Sequence, residues 1–392
     1  MILHLLDNDK FKNNIIDQFE LVYPNCNKYL IGINSEEEYF SSYKNRNNLI
    51  LAPYDSQEYK KELLNLKEYE AVIIHFLNEP KIKVLKEAPN EANFVWNIWG
   101  MDFYSRLSEN QYKLYDDQTK KLLIRIHNKN VLNRWMRSNK IYSIYKNIQS
   151  YKRIKNLQPI FDKIKYFSTV LPVEAELVKK YLPLKARYVP FNYGFSSKLL
   201  NNDENFKINS DRNNIILGNS GAPTNNHIPI IDFLYNYDIN NNNRKIITPL
   251  SYGSKTYIDE IIKIGNQKFG DKFLPIKNFI KLEDYFNLIK SCSICIMNHY
   301  RQQGVGNLVL MLSIGAKVFL SIRNPSFQFF KNLGVTVYSI EEDLPREIRK
   351  NFPSLPDDIK NNNKYKILKY FGHEATRERC ANYIKTITAN KC

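Results

Sequence analysis

Twelve short apolar runs, separated by spacers that are mostly long enough for a helix, constrain this 392-residue chain more than any other feature. The first series is 2–6, 29–33, 49–52, 71–76, 94–99, 166–171 and 186–190. The second is 214–218, 245–249, 293–297, 317–320 and 335–338. Runs that are apolar throughout, rather than alternating, belong to strands buried on both faces, and helical crossovers between them make the pairing parallel. The predicted fold class is α/β, with two doubly wound Rossmann-like domains facing a central cleft. Residues 196–213 are polar, rich in Asn and charge, and poor in aliphatics, as interdomain linkers are. The predicted division is a first domain at 1–195, the linker, a second domain at 214–370 and a closing helix within 371–392. Cys380, Ala381, Ile384 and Ile387 share one face of that helix.

Composition removes several classes. At 43% hydrophobic and 13% aromatic residues the chain can bury large cores, which excludes global disorder. No run of 18 apolar residues occurs, so no helical membrane span is predicted. The start, MILHLLDNDK, lacks a basic leader region and reads as a first strand. Five scattered cysteines, an odd number, fit a reducing compartment, and a cytoplasmic location is expected.

The formal charge is +17, and residues 118–165 supply most of it, with 13 Lys/Arg against one acid, Asp162. Trp135, Tyr142, Tyr145 and Tyr151 are interleaved with aliphatic residues there. Such a segment suits the headgroup region of an anionic membrane, a nucleic-acid backbone, or simply a solvated helical face.

Three loops at strand ends carry the chemistry. MNHYRQQGVGNLVLMLSIG (297–315) runs from a strand end into a helix predicted over 308–314, with Gly304 and Gly306 in the loop and Asn307 near its N-cap. Backbone N–H groups at such a turn, with the positive helix end and Arg301 upstream, match the charge that develops on a departing diphosphate. Gly218, Asn219, Ser220 and Gly221 form the first strand-to-helix turn of the second series, followed by Asn225 and His227. They lack both dinucleotide and P-loop spacing. In FVWNIWGMDFY (94–104), Trp96 and Trp99 flank a strand end, Gly100 makes a turn, and Asp102 is placed either as a general base or as a helix cap. His75 closes another strand and is the reserve base. Asp7-Asn8-Asp9 reads as a turn rather than a metal-binding DxD.

Three blocks, WNIWGMDFY (96–104), GNSGAPTNNHI (218–228) and YRQQGVGNLVLMLSIGA (300–316), together resemble the signature of 4-acetamido-4,6-dideoxygalactose (Fuc4NAc) transferases of glycosyltransferase family 56. The resemblance covers most of the chain and implies a GT-B fold. It implies a dTDP-sugar donor in the second domain and an undecaprenyl-diphosphate-linked glycan acceptor in the first. On it, Gly218–Gly221, Asn225, His227, Arg301, Gln302, Gln303, Gly304, Gly306 and Asn307 bind the donor. Trp96, Trp99 and Gly100 lie on the acceptor side, and Asp102 is the expected base. No metal or other cofactor is expected, because an Arg and helix N-termini take the leaving charge. Arg323 stands where the family places an acid before Asn324-Pro325, which bears on donor identity. A lipid-linked acceptor places membrane ahead of nucleic acid as the partner of 118–165, and predicts a peripheral enzyme on the inner face of the membrane. The alternatives are a nucleotide-sugar epimerase or hydrolase, which would need no lipid acceptor, a nucleic-acid-binding protein, whose affinity would fall steeply with salt, and an inactive scaffold, which would turn over no donor.

Overall fold

The computed structural model describes residues 1–9, 11–34, 47–127, 140–193, 212–237 and 244–389. The expected linker lies outside the described residues except for its last two positions. The chain divides into two compact units. One comprises Met1–Leu107, Ile148–Ser197 and Phe371–Cys392, the other Ser108–Asn147 and Lys198–Tyr370.

In the first unit seven strands form one parallel sheet: β1 (Ile2–Asp7), β2 (Asn27–Ile33), β3 (Leu49–Pro53), β4 (Ala71–His75), β5 (Phe94–Ile98), β6 (Ile164–Thr169) and β7 (Arg187–Tyr188). Their order is β3-β2-β1-β4-β5-β6-β7, so the winding reverses between β1 and β4. All five residues of β4 are buried, as a central strand covered by helices on both faces must be.

A helix at His373–Thr388 returns to this unit and buries Cys380, Tyr383, Ile384 and Ile387 against Phe19, Tyr29 and Phe191. Ala381, expected on that face, is exposed, and Tyr383 fills the place instead. The Tyr383 hydroxyl donates to Asn97 Oδ1 (2.7 Å), and Asn93 Nδ2 donates to the Ile387 carbonyl (2.6 Å). Each apolar side chain so buried contributes roughly 1.5–3 kcal/mol, so this helix is part of the core.

In the second unit six strands are again all parallel: β8 (Asn214–Leu217), β9 (Ile246–Pro249), β10 (Phe273–Ile276), β11 (Cys292–Met297), β12 (Lys317–Leu320) and β13 (Tyr338–Ser339). The order β10-β9-β8-β11-β12-β13 reverses between β8 and β11. Only β10 was not expected. Its Pro275 cannot donate to a ladder, and the strand accordingly sits at the sheet edge.

The helix Asp117–His127, expected within the first domain at 1–195, packs instead on this second sheet. Leu122 lies in one cluster with Ile215, Ile231, Tyr257 and Ile261, with Leu123 and Ile126 against it. Arg125 adds an ion pair to Glu260 (2.7 Å). The basic segment is therefore divided: the helix at 117–127 serves a core, and residues 128–139 lie outside the described residues. Among the described residues, no helix is long and apolar enough to cross a membrane.

Candidate active site

Ligands of doubly wound sheets bind beyond the carboxyl ends of the strands where the winding reverses. In the first unit that position is the pair of loops after β1 and β4. Asp7 ends β1. Its Oδ2 accepts from Lys81 Nζ (2.6 Å), and its Oδ1 accepts from Asn78 Nδ2 (2.7 Å) and from the Tyr54 hydroxyl. Gly32 makes the last contact possible, since a Cβ there would stand 2.1 Å from the Tyr54 ring.

Lys81 is fully buried and also donates to the carbonyls of His75 (2.6 Å) and Phe76 (3.1 Å). Three acceptors use all three of its N–H bonds. The peptide it grips has Phe76 at φ +63°, a left-handed conformation costly for a bulky residue, on the order of 1–3 kcal/mol.

Asp9 stands next to this ion pair. Its Oδ1 accepts from the backbone of Phe11 (2.7 Å) and Lys12 (3.2 Å), while Oδ2 has no partner among the described residues. Burial, with the nearby Asp7 carboxylate adding to it, raises the Asp9 pKa to about 6. The sequence showed this Asp-x-Asp only as a turn, because nothing local reports that Lys81 neutralises the first acid and leaves the second to titrate.

The structure gives Asp102 and His75 tasks other than those expected. Asp102 is 2% exposed, and both its oxygens are engaged. Oδ2 accepts from Leu77 N (3.0 Å) and Trp96 Nε1 (2.8 Å), and Oδ1 from Trp99 N (3.0 Å). Burial raises its pKa, opposed by these donors. Asp102 therefore ties the strained turn after β4 to the loop after β5, and is a positioning residue. Trp96 is wholly buried, so it cannot meet an acceptor, whereas Trp99 is half-buried. Gly100 has φ +98° and opens the short helix Met101–Tyr104.

His75 is buried within a chain of hydrogen bonds. His4 Nε2 meets Asn27 Oδ1 (3.1 Å), so His4 donates there and accepts at Nδ1 from His75 Nε2 (3.1 Å). His75 Nδ1 then accepts from the Tyr193 hydroxyl (2.8 Å), whose oxygen accepts from Trp99 Nε1 (2.6 Å). Burial holds both imidazoles neutral, with the His4 pKa down to about 3 and that of His75 well below its ordinary value. Neither nitrogen of His75 is left to serve as a base.

In the second unit the reversal lies between β8 and β11, and the two predicted loops follow those strands. Gly218 has φ +68°, and a Cβ there would meet His227 Nε2 at 2.6 Å and Asn225 Oδ1 at 2.8 Å. Asn225 is the hub. Its Oδ1 accepts from Asn219 N (2.8 Å) and His299 Nε2 (2.7 Å), and its Nδ2 donates to Ser220 Oγ (3.1 Å) and the Ala222 carbonyl (2.9 Å). Gln303 joins the loops a second time, donating to Asn219 Oδ1 (2.8 Å) and accepting from Thr224 Oγ1 (2.6 Å). Asn226 and Asn298 join them a third time, each donating to the other's carbonyl (3.1 and 3.2 Å). Gly221 pairs with Gly253 in an isolated parallel bridge.

Arg301 is buried and donates to the Gln302 carbonyl (2.8 Å). His227 Nε2 and Gln302 Oε1 are among the buried polar atoms that have no hydrogen-bond partner among the described residues. Burial also pulls the His227 pKa down to about 3. Unsatisfied buried groups cost about 1–3 kcal/mol each, and two on loops already locked together are places for a ligand to bind.

The helix after this loop runs Val305–Ser313 and starts directly after Gly304, three residues earlier than predicted. Gly306 and Asn307 are therefore inside its first turn, and Asn307 Nδ2 donates to Tyr285 Oη (2.9 Å) instead of capping. His299, Asn226 and Asn298 were not singled out in the sequence. Their roles depend on pairing between loops about 70 residues apart. At the Arg323 loop a carboxylate arrives from elsewhere: Glu341 accepts from Ser321 Oγ (2.6 Å) and Ile322 N (3.0 Å).

Solved structures share this architecture over the whole chain. A glycosyltransferase from Rickettsia africae ESF-5 is 12% identical, with TM-score 0.63, covering 100% of this chain and 99% of that one. HepE of Anabaena, in complex with UDP-glucose, is 11% identical, with TM-score 0.65 over 98% and 100%. Sucrose-phosphate synthase from Thermosynechococcus elongatus is 10% identical, with TM-score 0.64 over 100% of both chains. The fold is that of the GT-B glycosyltransferases. Residues 178–355 match the family described as 4-alpha-L-fucosyltransferase glycosyl transferase group 56. That match spans somewhat less than half of the chain.

Asp102→Asn places an amide N–H₂ against one of the N–H groups that the carboxylate now accepts from. The expected result is a loss of about 1–3 kcal/mol in stability, read from the urea midpoint, rather than a selective loss of turnover.

Proposed function

We propose that this protein is a glycosyltransferase that moves a deoxyamino sugar, 4-acetamido-4,6-dideoxygalactose, from a dTDP-sugar to a lipid-linked saccharide at the inner face of the cell membrane. The observation that carries the reading is the pair of cross-linked loops at the β8/β11 reversal, with a buried arginine and two unpartnered polar atoms. A nucleotide sugar is the donor class, since the Anabaena structure of the same fold holds UDP-glucose. The family description names fucosyl transfer, and fucose is itself a 6-deoxygalactose. The dTDP moiety and the undecaprenyl-diphosphate acceptor rest on the three sequence blocks.

In this reading the diphosphate leaves as its bond to the anomeric carbon breaks. Arg301 and the amino end of Val305–Ser313 take up the charge that develops, without a metal ion. The acceptor oxygen forms the new bond to that carbon as its hydroxyl gives up its proton to Asp9 Oδ2. Asp102 acts on this chemistry through the turn at Phe76–Leu77, which it holds beside Asp7.

The membrane reading has its own support. On the helix Lys140–Asn156, Ile144, Tyr145, Ile148 and Tyr151 are 57, 52, 50 and 67% exposed. Lys146, Lys152 and Lys155 stand exposed among them. Apolar and aromatic side chains set among cations suit insertion at an anionic headgroup layer.

Calorimetric titration with dTDP, UDP and GDP tests the donor: dTDP is expected to bind most tightly, and Arg301→Ala to weaken it at least about tenfold. Preference for UDP or GDP would overturn the dTDP assignment, and no nucleotide binding by folded protein would overturn the site.

Because burial raises the Asp9 pKa, ionising it disfavours the folded state, and that loss of stability develops as pH rises from about 4 to 6. Activity has the opposite slope, since the base must be ionised. kcat/KM is expected to rise through pH 6, and Asp9→Asn to lower it about 100-fold or more with nucleotide binding intact. An unchanged pH profile in Asp9→Asn would remove Asp9 from the mechanism.

Co-flotation with vesicles containing phosphatidylglycerol is expected for the native chain and lost in Ile148→Asp/Tyr151→Asp. Equal flotation of the variant would leave that face merely solvated.

A further inference from the structure

A cavity of about 570 Å³ lies in the second unit at the opposite edge of its sheet from the nucleotide loops. Its walls come from the amino ends of the strands: Arg212 before β8, Arg244 before β9, Ser293 at the start of β11 and Lys317 at the start of β12. The loops of the donor site follow the carboxyl ends of β8, β11 and β12. Strands of four residues or more separate the two edges by roughly 13 Å. The helix Val305–Ser313 runs from one to the other, with Gly304 in the donor loop and Ser313 and Gly315 lining the cavity.

The lining is cationic beyond what its own acids balance. Five basic residues, Arg212, Arg244, Lys317, Lys360 and Lys364, face one acid, Asp357. Lys317 is satisfied by Glu347, and Lys360 pairs with Asp357 (2.8 Å). No carboxylate among the described residues pairs with either arginine. Arg212 spends Nη2 on the Gly315 carbonyl (2.9 Å), while its Nη1 is buried with no partner among the described residues. Arg244 is fixed by the carbonyls of Asn213 (2.5 Å) and Asn351 (3.1 Å), and its guanidinium lies 5.7 Å from the centre of the Phe352 ring.

Burial pulls both guanidinium groups below their ordinary pKa, a measure of how much solvation each has lost. Removing charge from water without a counter-charge is costly, and an anion with several oxygens offsets that cost. The volume lies in the range of small-ligand sites.

We propose that this cavity binds a phosphate- or diphosphate-bearing ligand, with Arg212 and Arg244 as the fixed donors and Lys360 at the rim. The phosphate belongs either to a free small molecule or to a lipid headgroup. Both present the same oxygens, and the two arms of one experiment separate them.

In the first arm the whole chain is titrated calorimetrically with inorganic pyrophosphate, alongside Arg212→Gln, Lys360→Ala and Arg301→Ala. The expected result is saturable binding in the native chain and in Arg301→Ala, weakened about tenfold or more in Arg212→Gln and several-fold in Lys360→Ala. In the second arm the same proteins are floated with phosphatidylcholine vesicles with and without phosphatidic acid. Dependence of flotation on Arg212 and Lys360, with weak pyrophosphate binding, assigns the phosphate to a lipid; the converse assigns it to a free ligand. The Lys360 side chain is 29% exposed and Arg212 stays intact in its variant, which keeps the test valid if Arg212→Gln fails to fold. If neither probe separates the native chain from the cavity variants, or if only Arg301→Ala weakens pyrophosphate, the proposal fails.

Discussion

A parallel sheet that grows outward in both directions from its middle must send its crossovers to opposite faces on either side of the starting strand. At that one place adjacent loops diverge and backbone groups are left with no neighbouring loop to cover them. Both sheets here grow this way, from β1 and from β8. Most of the side-chain chemistry described above answers that constraint. In the first unit the opening is lined by an Asp–Lys pair and a second acid, in the second by a web of amides. The amides hold two loops at fixed separation and bring almost no charge of their own, which leaves the arginine as the charged element.

Inside such openings the energetics are governed by satisfaction rather than by the number of contacts. Lys81 is tolerable at zero exposure because it has three oxygens to donate to. Asp102 is tolerable because three N–H groups converge on it. The chain from Trp99 through Tyr193, His75 and His4 to Asn27 is polarised in one direction, which fixes both tautomers and makes the line a rigid strut. Where partners are missing, at His227 Nε2, Gln302 Oε1 and Arg212 Nη1, the shortfall is itself informative, because folded chains leave few such atoms.

The strands were legible because burial on both faces writes a continuous apolar run, a pattern that survives without knowledge of the partner strand. β10 escaped because its proline obscures that pattern at an edge. The loop glycines and the arginine at the ends of β8 and β11 were legible from their place after a strand. The division of labour among carboxylates was not. Asp102 resembles a base in sequence, yet its surroundings come from residues 77, 96 and 99 folding around it. Asp9 resembles a turn, yet its titration is set by its burial in the folded unit beside Asp7. The basic segment misled for a related reason: Leu122, Leu123 and Ile126 give one of its helices to the second core, and charge counting is blind to which face is apolar.

The helix His373–Thr388 has a consequence in time. It supplies Tyr383, Ile384 and Ile387 to a core whose strands are all synthesised before residue 190. The second unit, finished at Tyr370, is complete first, although the chain starts with the other. At roughly 5–20 residues per second, the nascent first sheet waits on the order of ten seconds or longer with that groove open. The two units are thus completed on the ribosome in the reverse of the order in which their sheets begin along the chain.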